Sequence, residues 1–299
     1  MKKSVSLLLA ALMLTGALAG CGSSASASDT HAADGADSGV SGAITVISRE
    51  DGSGTRGAFI ELTGVEEKTA DGKKVDNTTA DAEIANKTDV VLTSVAGNEK
   101  AIGYISLGAL NDTVKAVKVD GAEATVDNVK AGAYKLSRPF NIATKGEPTG
   151  LAKDFINFIL SKEGQAVVTD NKYIAVNDAA ESFVSDGSSG QIAVGGSSSV
   201  SPVMEKLIEA YKSVNPNASI DLQTSDSTSG MTGAMDGTFA IGMASRELKD
   251  EEAAQLTGTA IALDGIAVIV NPANTIDELS MDQIKSIYVG DITDWGDLA

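Results

Sequence analysis

The chain has 299 residues, enough for one large domain or two of ordinary size, and 42% of them are hydrophobic, so a substantial core is expected. Acidic residues outnumber basic ones by 41 to 23, which gives a net charge of −18. This balance argues against a general nucleic-acid binder, because phosphate backbones are held by excess lysine and arginine. With one histidine and one cysteine, His31 and Cys21, the chain has no internal disulfide, no Cys/His zinc site and no histidine-based catalytic triad in its folded part.

Residues 1–20 have the pattern of a secretion signal. Two lysines at positions 2 and 3 precede an apolar stretch, 4–14, which is too short to span a bilayer. The sequence Leu-Ala-Gly-Cys at 18–21 resembles the bacterial lipobox, which predicts that Cys21 is lipidated and becomes the first mature residue. A plain signal peptide with a chance cysteine is the alternative. The lipobox interpretation places the protein on the outer face of the cytoplasmic membrane.

Residues 21–42 consist mainly of glycine, serine, alanine and aspartate. Such a segment buries too little apolar surface to fold, so we expect a flexible tether. His31 lies inside this segment and is therefore not expected to form a site. The folded body is predicted to begin at residue 43.

The first half of the body alternates short β-branched runs with amphipathic stretches. Strands are predicted at 44–47, 101–106, 114–119 and 140–144, and helices at 54–63, 90–98, 150–160 and 164–171.

A glycine- and serine-rich segment, 184–191, predicts a surface linker between this half and the next. Strands then follow at 192–195, 219–223, 239–242 and 260–270, the last with a break near Asp264, and helices at 202–214 and 280–288. Ser280 and Gln283 have the spacing of a capping box. The alternation of strands and helices predicts an α/β fold.

Three clusters of glycine, serine and threonine each follow a strand and precede a helix; they occupy 49–56, 195–200 and 225–230. Helix N-termini expose unpaired N–H groups and the positive end of the helix dipole. Any one cluster is explained as well by ordinary helix capping. Three that converge would form a site for a compact oxyanion, to which Arg49 adds guanidinium donors.

The residues of these clusters do not form a catalytic motif. No Gly-Lys-Ser/Thr stands at P-loop spacing, and the Gly-x-Ser-x-Gly nucleophile elbow is absent. A serine nucleophile would also lack a base, because the single histidine lies in the predicted tether. The sequence therefore predicts binding without reaction, with no cofactor and no metal, and makes an enzyme such as a phosphatase the weaker alternative.

Several segments are similar to motifs of one known family. The sequences ITVISREDGSGTRGAF (44–59), VGGSSSVSPVMEKL, SDSTSGMTGAMDG and GDITDW resemble motifs of the phosphate-binding proteins of ABC importers, the PstS family. The resemblance covers nearly all of 43–299. It implies a two-lobed α/β fold of the periplasmic-binding-protein type (type II), with an anion held in the cleft and lobes that close about a hinge. It also implies a monomeric extracytoplasmic receptor that delivers phosphate to the membrane subunits of an ABC importer.

The order of these motifs differs from the usual order in the family. Here the segment REDGSGTR comes first and GDITDW comes last, as in a circular permutant. The resemblance then implies one continuous lobe, 139–271, and one split lobe, 43–138 plus 272–299, with crossovers near 136–141 and 266–271. A gene-model error or a fragment of a longer tandem protein is the alternative.

Residue by residue, the resemblance implies a set of anion ligands. They are Arg49, Ser53, Gly54, Thr55, Ser198, Ser199 and Ser227, with Thr228 and Ser229 as near alternatives to Ser227. It also implies that Asp51 pairs with Arg49 and orients it.

One position departs from the pattern of the family. Ser245 stands where well-known members have an aspartate that accepts a proton from phosphate. A serine hydroxyl both donates and accepts, so it discriminates less between phosphate and sulfate. Receptors for sulfate, arsenate or molybdate therefore stay open as alternatives, as does a surface sensor or adhesion module that has lost its ligand.

Overall fold

A computed structural model describes residues 40–298. The predicted signal at 1–20, Cys21 and most of the predicted tether lie outside the described residues. The last tether residues are hydrogen-bonded to the body, since the Val40 amide donates to Thr275 Oγ1 at 2.8 Å and the Gly42 amide to Asp294 Oδ1 at 2.9 Å. Across 40–298, no helix is both long enough and apolar enough to cross a membrane.

The described chain alternates strands and helices along its length. The strands are β1 (Thr45–Arg49), β2 (Glu66–Lys68), β3 (Lys74–Asp76), β4 (Glu83–Ala85), β5 (Ala101–Ser106), β6 (Lys115–Ala116), β7 (Lys118–Val119), β8 (Ser137–Thr144), β9 (Gly190–Ser197), β10 (Ala218–Ser225), β11 (Ile241–Ala244), β12 (Thr257–Val270) and β13 (Glu278–Leu279). The helices are α1 (Gly54–Thr63), α2 (Thr88–Ala96), α3 (Val126–Lys130), α4 (Gly150–Leu160), α5 (Lys162–Asp170), α6 (Ser201–Val214), α7 (Ser227–Asp236), α8 (Asp250–Ala253) and α9 (Met281–Val289), with short 3₁₀ turns at Leu107–Ala109 and Trp295–Leu298.

Nine strands form one mixed sheet in the order β10-β9-β11-β8-β12-β5-β1-β4, with β6 also paired to β12. Strands β10, β9 and β11 run parallel to one another at one end, as do β5, β1 and β4 at the other. Between them, β8 and β12 are antiparallel to all the neighbours they pair with. This arrangement confirms the predicted α/β class.

Strand β12 joins the two parallel groups. Its first part pairs with β8, and its last five residues, 266–270, pair with β5. The predicted break near Asp264 is wrong: the strand is continuous there and its irregularity lies between Ala260 and Ala262. Asp264 is tolerated inside a buried strand because Arg138 of β8 lies opposite it in register and bonds to its carboxylate.

The described residues form two large hydrophobic cores. In one, Phe59 stacks on Tyr104 with ring centroids 4.0 Å apart, and Tyr288 of α9 packs edge-on against Phe59. In the other, Phe155 of α4 packs against Tyr211 of α6 at 5.0 Å. Residues 261–262 of β12 belong to the second core and residues 266–270 to the first, so this strand passes from one to the other.

Candidate functional site

The site lies where strands end and helices begin. Strands β9 and β10 are parallel and in register, so Ser197 and Ser225, their last residues, are paired at the same edge of the sheet. The turns that follow lead into α6 and α7. Strand β1 ends at Arg49, and the turn after it leads into α1. Turns after parallel strands lie outside the carboxyl edge of the sheet, where α/β proteins bind ligands.

The N-terminus of α1 approaches the other turns very closely. Ser53 caps the helix, its Oγ accepting a hydrogen bond from the Arg56 amide at 3.3 Å. At Gly54, a Cβ would lie 2.3 Å from Ser227 Oγ and 2.8 Å from Ser245 Oγ. Only glycine allows this contact, which brings the first and third predicted clusters together.

Thr55 is the centre of a group of buried hydroxyls that we call the hydroxyl cluster. The cluster comprises Thr55, Thr88, Ser197, Ser198, Ser199, Ser227 and Ser245, all less than 9% exposed. Thr55 Oγ1 is hydrogen-bonded to Ser199 Oγ at 2.8 Å and to Ser245 Oγ at 3.2 Å. Ser197 Oγ donates to Ser245 Oγ at 3.0 Å, and Ser227 Oγ accepts from the Ser245 amide at 3.1 Å. All three predicted clusters therefore contribute to one place.

Arg49 lies beside the hydroxyl cluster and is 2% exposed. Its Nη2 donates to Ser198 Oγ at 3.1 Å, while Nε and Nη2 donate to the two carboxylate oxygens of Glu50 at 2.8 and 2.7 Å. The Arg49 amide donates to the hydroxyl of Tyr104, whose pKa burial raises to about 12. Tyr104 is therefore neutral at physiological pH and anchors the end of β1 without adding charge to the site.

The expected pairing of Asp51 with Arg49 is wrong. Asp51 bonds Arg56 at 2.7 Å, and its side chain is 97% exposed. Arg56 lies in the first turn of α1 and also donates to the Arg49 carbonyl at 2.8 Å, so the same guanidinium binds both the end of β1 and the Asp51 carboxylate. The adjacent Glu50 takes the place that the motif assigned to Asp51.

The two alternatives to Ser227 are engaged elsewhere. The amide and Oγ1 of Thr228 both donate to the Gly52 carbonyl at 3.2 Å. Ser229 bonds to Asp226, which caps α7. Ser227 is fully buried and is the residue of this turn that contacts Gly54.

Thr88 belongs to the hydroxyl cluster, although the sequence motifs did not predict it. It is the first residue of α2, and its Oγ1 lies 3.3 Å from Ser199 Oγ and 3.4 Å from Ser198 Oγ. The sequence pattern placed the start of this helix at residue 90. Because Lys87 at the cap position makes no side-chain capping bond, no cap residue marked the true start.

Arg138 is the second unpredicted residue. It is 4% exposed, and its Nη2 donates to Thr55 Oγ1 at 3.2 Å. Burial lowers the pKa of the Arg138 guanidinium and raises that of the Asp264 carboxyl, and the contact between the two opposes both shifts. The one feature of the sequence that pointed to Arg138 was its place in the segment 136–141, where the family resemblance predicts a crossover.

Arg138 is one of the residues that line a surface groove of about 690 Å³. Its lining also includes Ala58 and Leu62 of α1, together with Arg246 and Leu248. No group of three or more histidine, cysteine, aspartate or glutamate residues within the described range is arranged to hold a metal ion.

Comparisons with known proteins agree with one another. A family model described as a PBP superfamily domain matches residues 25–163 and 182–299. A protein of Streptococcus agalactiae serotype V, named phosphate-binding protein PstS 2, is 50% identical over 99% of this chain and 98% of its own length. A protein of the same name from Streptococcus pneumoniae serotype 4 is 49% identical over 99% of each chain.

A solved structure extends the similarity to three dimensions. The crystal structure of a phosphate-binding protein of a phosphate ABC transporter from Streptococcus pneumoniae TIGR4 matches with a TM-score of 0.69 at 50% identity. The match covers 86% of this chain and all of that one. These relatives are binding proteins, in agreement with the expectation of binding without catalysis.

Proposed function

Because the chain belongs to the PBP superfamily and, within it, to the PstS family of phosphate-binding proteins, we propose that it captures inorganic phosphate at the hydroxyl cluster and delivers it to an ABC importer. One observation carries the proposal: the N-terminal turns of α1, α2, α6 and α7 meet around Thr55, with Arg49 beside them. The proposed ligands are Arg49, Ser53, Gly54, Thr55, Ser198, Ser199, Ser227 and Ser245.

The chemistry of these groups suits a small tetrahedral anion. Helix N-termini supply amide donors and a favourable dipole, and hydroxyls rotate to donate to each phosphate oxygen. Arg49 adds a charge-assisted donor. The net charge of −18 does not oppose binding, because surface charges are screened over about 8 Å at physiological salt while the site's donors act at contact distance.

The proposal includes two lobes that close on the anion, 139–271 and 43–138 plus 272–299. Each of the two large cores is drawn mainly from one of these sets of residues. Side-chain and backbone hydrogen bonds at the site join the two sets, where Thr55 bonds Ser199 and the Thr228 amide bonds the Gly52 carbonyl. Strands β8 and β12 pass between the sets and would act as the hinge.

Circular permutation remains part of the proposal. Ala43 and Asp294 form a β-bridge, and the Trp295 amide donates to the Gly42 carbonyl at 3.1 Å, so the two ends of the body lie side by side. Joining them, and opening the chain in the linker at 184–191, would restore the usual motif order of the family. The alignment with the Streptococcus agalactiae relative extends over nearly all of both chains, which supports a segment order shared with that protein.

We place the protein on the outer face of the cytoplasmic membrane, held by a lipid on Cys21 and acting as a monomer. This follows from the lipobox-like sequence at 18–21 and from the family, whose relatives serve ABC transporters.

Calorimetric titration of the purified protein with inorganic phosphate tests the proposed function. We expect saturable binding in the parent, loss of at least about tenfold in affinity in Arg49→Ala, and little change in Arg56→Ala, a neighbouring arginine outside the hydroxyl cluster. A flat titration of the parent overturns the proposal and favours a sensor or adhesion module. Release of product from a chromogenic phosphate ester would instead indicate a phosphatase.

A receptor for another tetrahedral oxyanion is the second candidate. Ser245 favours it, because its side-chain partners in the described structure are the hydroxyls of Thr55 and Ser197 and none is a carboxylate. Competition of phosphate with sulfate, arsenate and molybdate in the same titration separates the two candidates.

A further inference from the structure

Arg138 contacts the hydroxyl cluster at Thr55, whereas Arg49 contacts it at Ser198. Its Nη2 donates to the Oγ1 of Thr55, the hydroxyl at the centre of the cluster. Arg138 is also one of the residues that line the surface groove. A second guanidinium therefore lies one hydrogen bond from the proposed anion.

The donors of Arg138 are incompletely used. Its Nη1 donates to the Asp264 carboxylate and to the Gly265 carbonyl at 2.8 Å, and its Nη2 to Thr55. Its Nε is buried and has no hydrogen-bond partner among the described residues. A buried N–H without a partner costs about 1–3 kcal/mol, so its presence calls for an acceptor.

Arg49 differs from Arg138 in this respect. Its Nε and one Nη2 donor are already taken by the carboxylate of Glu50. The side-on fork of a guanidinium, made by Nε–H and Nη2–H, matches two oxygens of a phosphate. In Arg49 that fork is closed by Glu50, whereas in Arg138 the Nε–H of the fork is free.

A purely structural role is the competing explanation. Arg138 and Asp264 face each other across β8 and β12, and the guanidinium carbon lies 4.9 Å from the ring centroid of Phe140. These contacts give Nη1 a hydrogen-bond acceptor and give the face of the guanidinium an aromatic neighbour. They do not account for the free Nε or for the bond to Thr55.

We propose that Arg138 is a second anion-binding arginine, contacting the bound oxyanion through its Nε–H and Nη2–H while Asp264 holds its Nη1 in place. The inference rests on the proposed function of the hydroxyl cluster. It assigns the anion two guanidinium groups, each held by a carboxylate from outside the cluster, Glu50 for Arg49 and Asp264 for Arg138.

The test compares Arg138→Lys with Asp264→Asn by phosphate calorimetry and thermal melting. The lysine keeps the charge and the ion pair but has no Nε–H and no fork, so we expect phosphate affinity to fall about tenfold or more with a small change in melting temperature. In Asp264→Asn the amide oxygen can still accept from Nη1 and hold it in place, but Arg138 loses its counter-charge, so we expect a lower melting temperature without phosphate, undiminished affinity and a larger stabilisation by phosphate than in the parent. Arg56→Lys is the matched control and should bind like the parent.

Two results would overturn the inference while leaving the proposed function intact. One is phosphate affinity in Arg138→Lys equal to that of the parent. The other is a parallel loss of affinity and melting temperature in both variants, which is what a structural ion pair alone predicts. If the parent itself does not bind phosphate, the proposed function fails, and this inference fails with it.

Discussion

At the scale of single residues, Gly54 sets how closely α1 and α7 approach. A Cβ on this residue would fall 2.3 Å from Ser227 Oγ, a distance that no side chain tolerates without movement of its neighbours. Gly57, one turn further along the same helix, has only Arg246 Cδ at 3.8 Å from the corresponding position. The two glycines form a matched pair, one at the site and one beside it.

Gly54→Ala is expected to lower phosphate affinity at least about tenfold by separating the turns that form the cluster. Gly57→Ala should leave affinity unchanged and stabilise α1 by about 0.5–1 kcal/mol, because alanine is the better helix former. Phosphate calorimetry and urea unfolding measure both effects. Equal affinities in the two variants would contradict the assignment of the site to this helix end.

Ser245→Asp should make the site more selective. A carboxylate here would accept a proton from phosphate but repel sulfate, which has no proton to donate. We expect sulfate to compete with phosphate more weakly in Ser245→Asp than in the parent, as measured by displacement titration. Unchanged competition would mean that another group sets selectivity.

Most of the hydroxyl cluster was predictable because its residues belong to local motifs. Thr55, Ser198, Ser199 and Ser227 each lie in a glycine- or serine-rich turn between a strand and a helix. Arg138 was not predictable in this way. Its role depends on the register of β8 against β12 and on a contact with a residue 83 positions away, and neither leaves a local pattern.

At the scale of elements, α4 holds the segment that the sequence marks as a linker. Buried Asp154 of α4 accepts hydrogen bonds from Ser185 Oγ at 2.7 Å and from the Asp186 amide at 3.0 Å, both in the linker, and from Tyr211 Oη at 2.7 Å. Within the predicted linker, 184–191, residues 184–189 have no regular secondary structure but residues 190 and 191 already belong to β9, and these bonds attach the segment to the second core.

Asp154→Asn is expected to cost about 1–3 kcal/mol of unfolding free energy at neutral pH, since the bonds to a charged acceptor are weakened. Burial acts to raise the pKa of the Asp154 carboxyl, but bonds from Asp186, Tyr211 and Ser185 hold it below its ordinary value. Its stabilisation is therefore full above the ordinary pKa and is lost as pH falls through the lowered one.

Urea unfolding across an acid series measures this contribution. Between about pH 5 and pH 2, Asp154→Asn should lose less stability than the parent. The exposed Asp170 at the end of α5 provides the control, and Asp170→Asn should follow the parent throughout. Identical acid profiles for the parent and Asp154→Asn would contradict the prediction.

Three elements were predicted without a boundary error. For α1, α4 and β5, the predicted and observed bounds are the same. The hairpin of β2 and β3 was not predicted, because all but one of its six residues are exposed and most are charged, so no alternation marks it. The run 114–119 was predicted as one strand but forms two short ones, β6 and β7, which pair with different partners.

At the scale of the whole molecule, the fold depends less on the order of the segments along the chain than on the contacts between them. The proposed permutation moves the chain ends to the bridge between Ala43 and Asp294 without removing a strand from the sheet. The sequence motifs indicated this permutation, because each motif is intact but the motifs follow one another in an unusual order. In the structure the two ends of the body are in contact at this bridge.

A reordered chain tests the proposal directly. Joining residue 298 to residue 40 through a short linker and opening the chain between Gly187 and Ser188 keeps the Asp154 contacts and should preserve phosphate affinity within about twofold to threefold. Opening instead between Asp264 and Gly265 would cut β12 and should prevent folding. Melting curves and calorimetry report both outcomes, and failure of the first variant to fold would contradict the proposed permutation.

The joint between the two ends contains the protein's single tryptophan. Trp295 is 1% exposed, and its indole N–H donates to the Lys100 carbonyl at 3.0 Å beside the Gly42 contact. Its fluorescence emission should shift to longer wavelength when this joint separates and water reaches the ring. The protein thus has an intrinsic optical reporter of fraying where the first and last described segments meet.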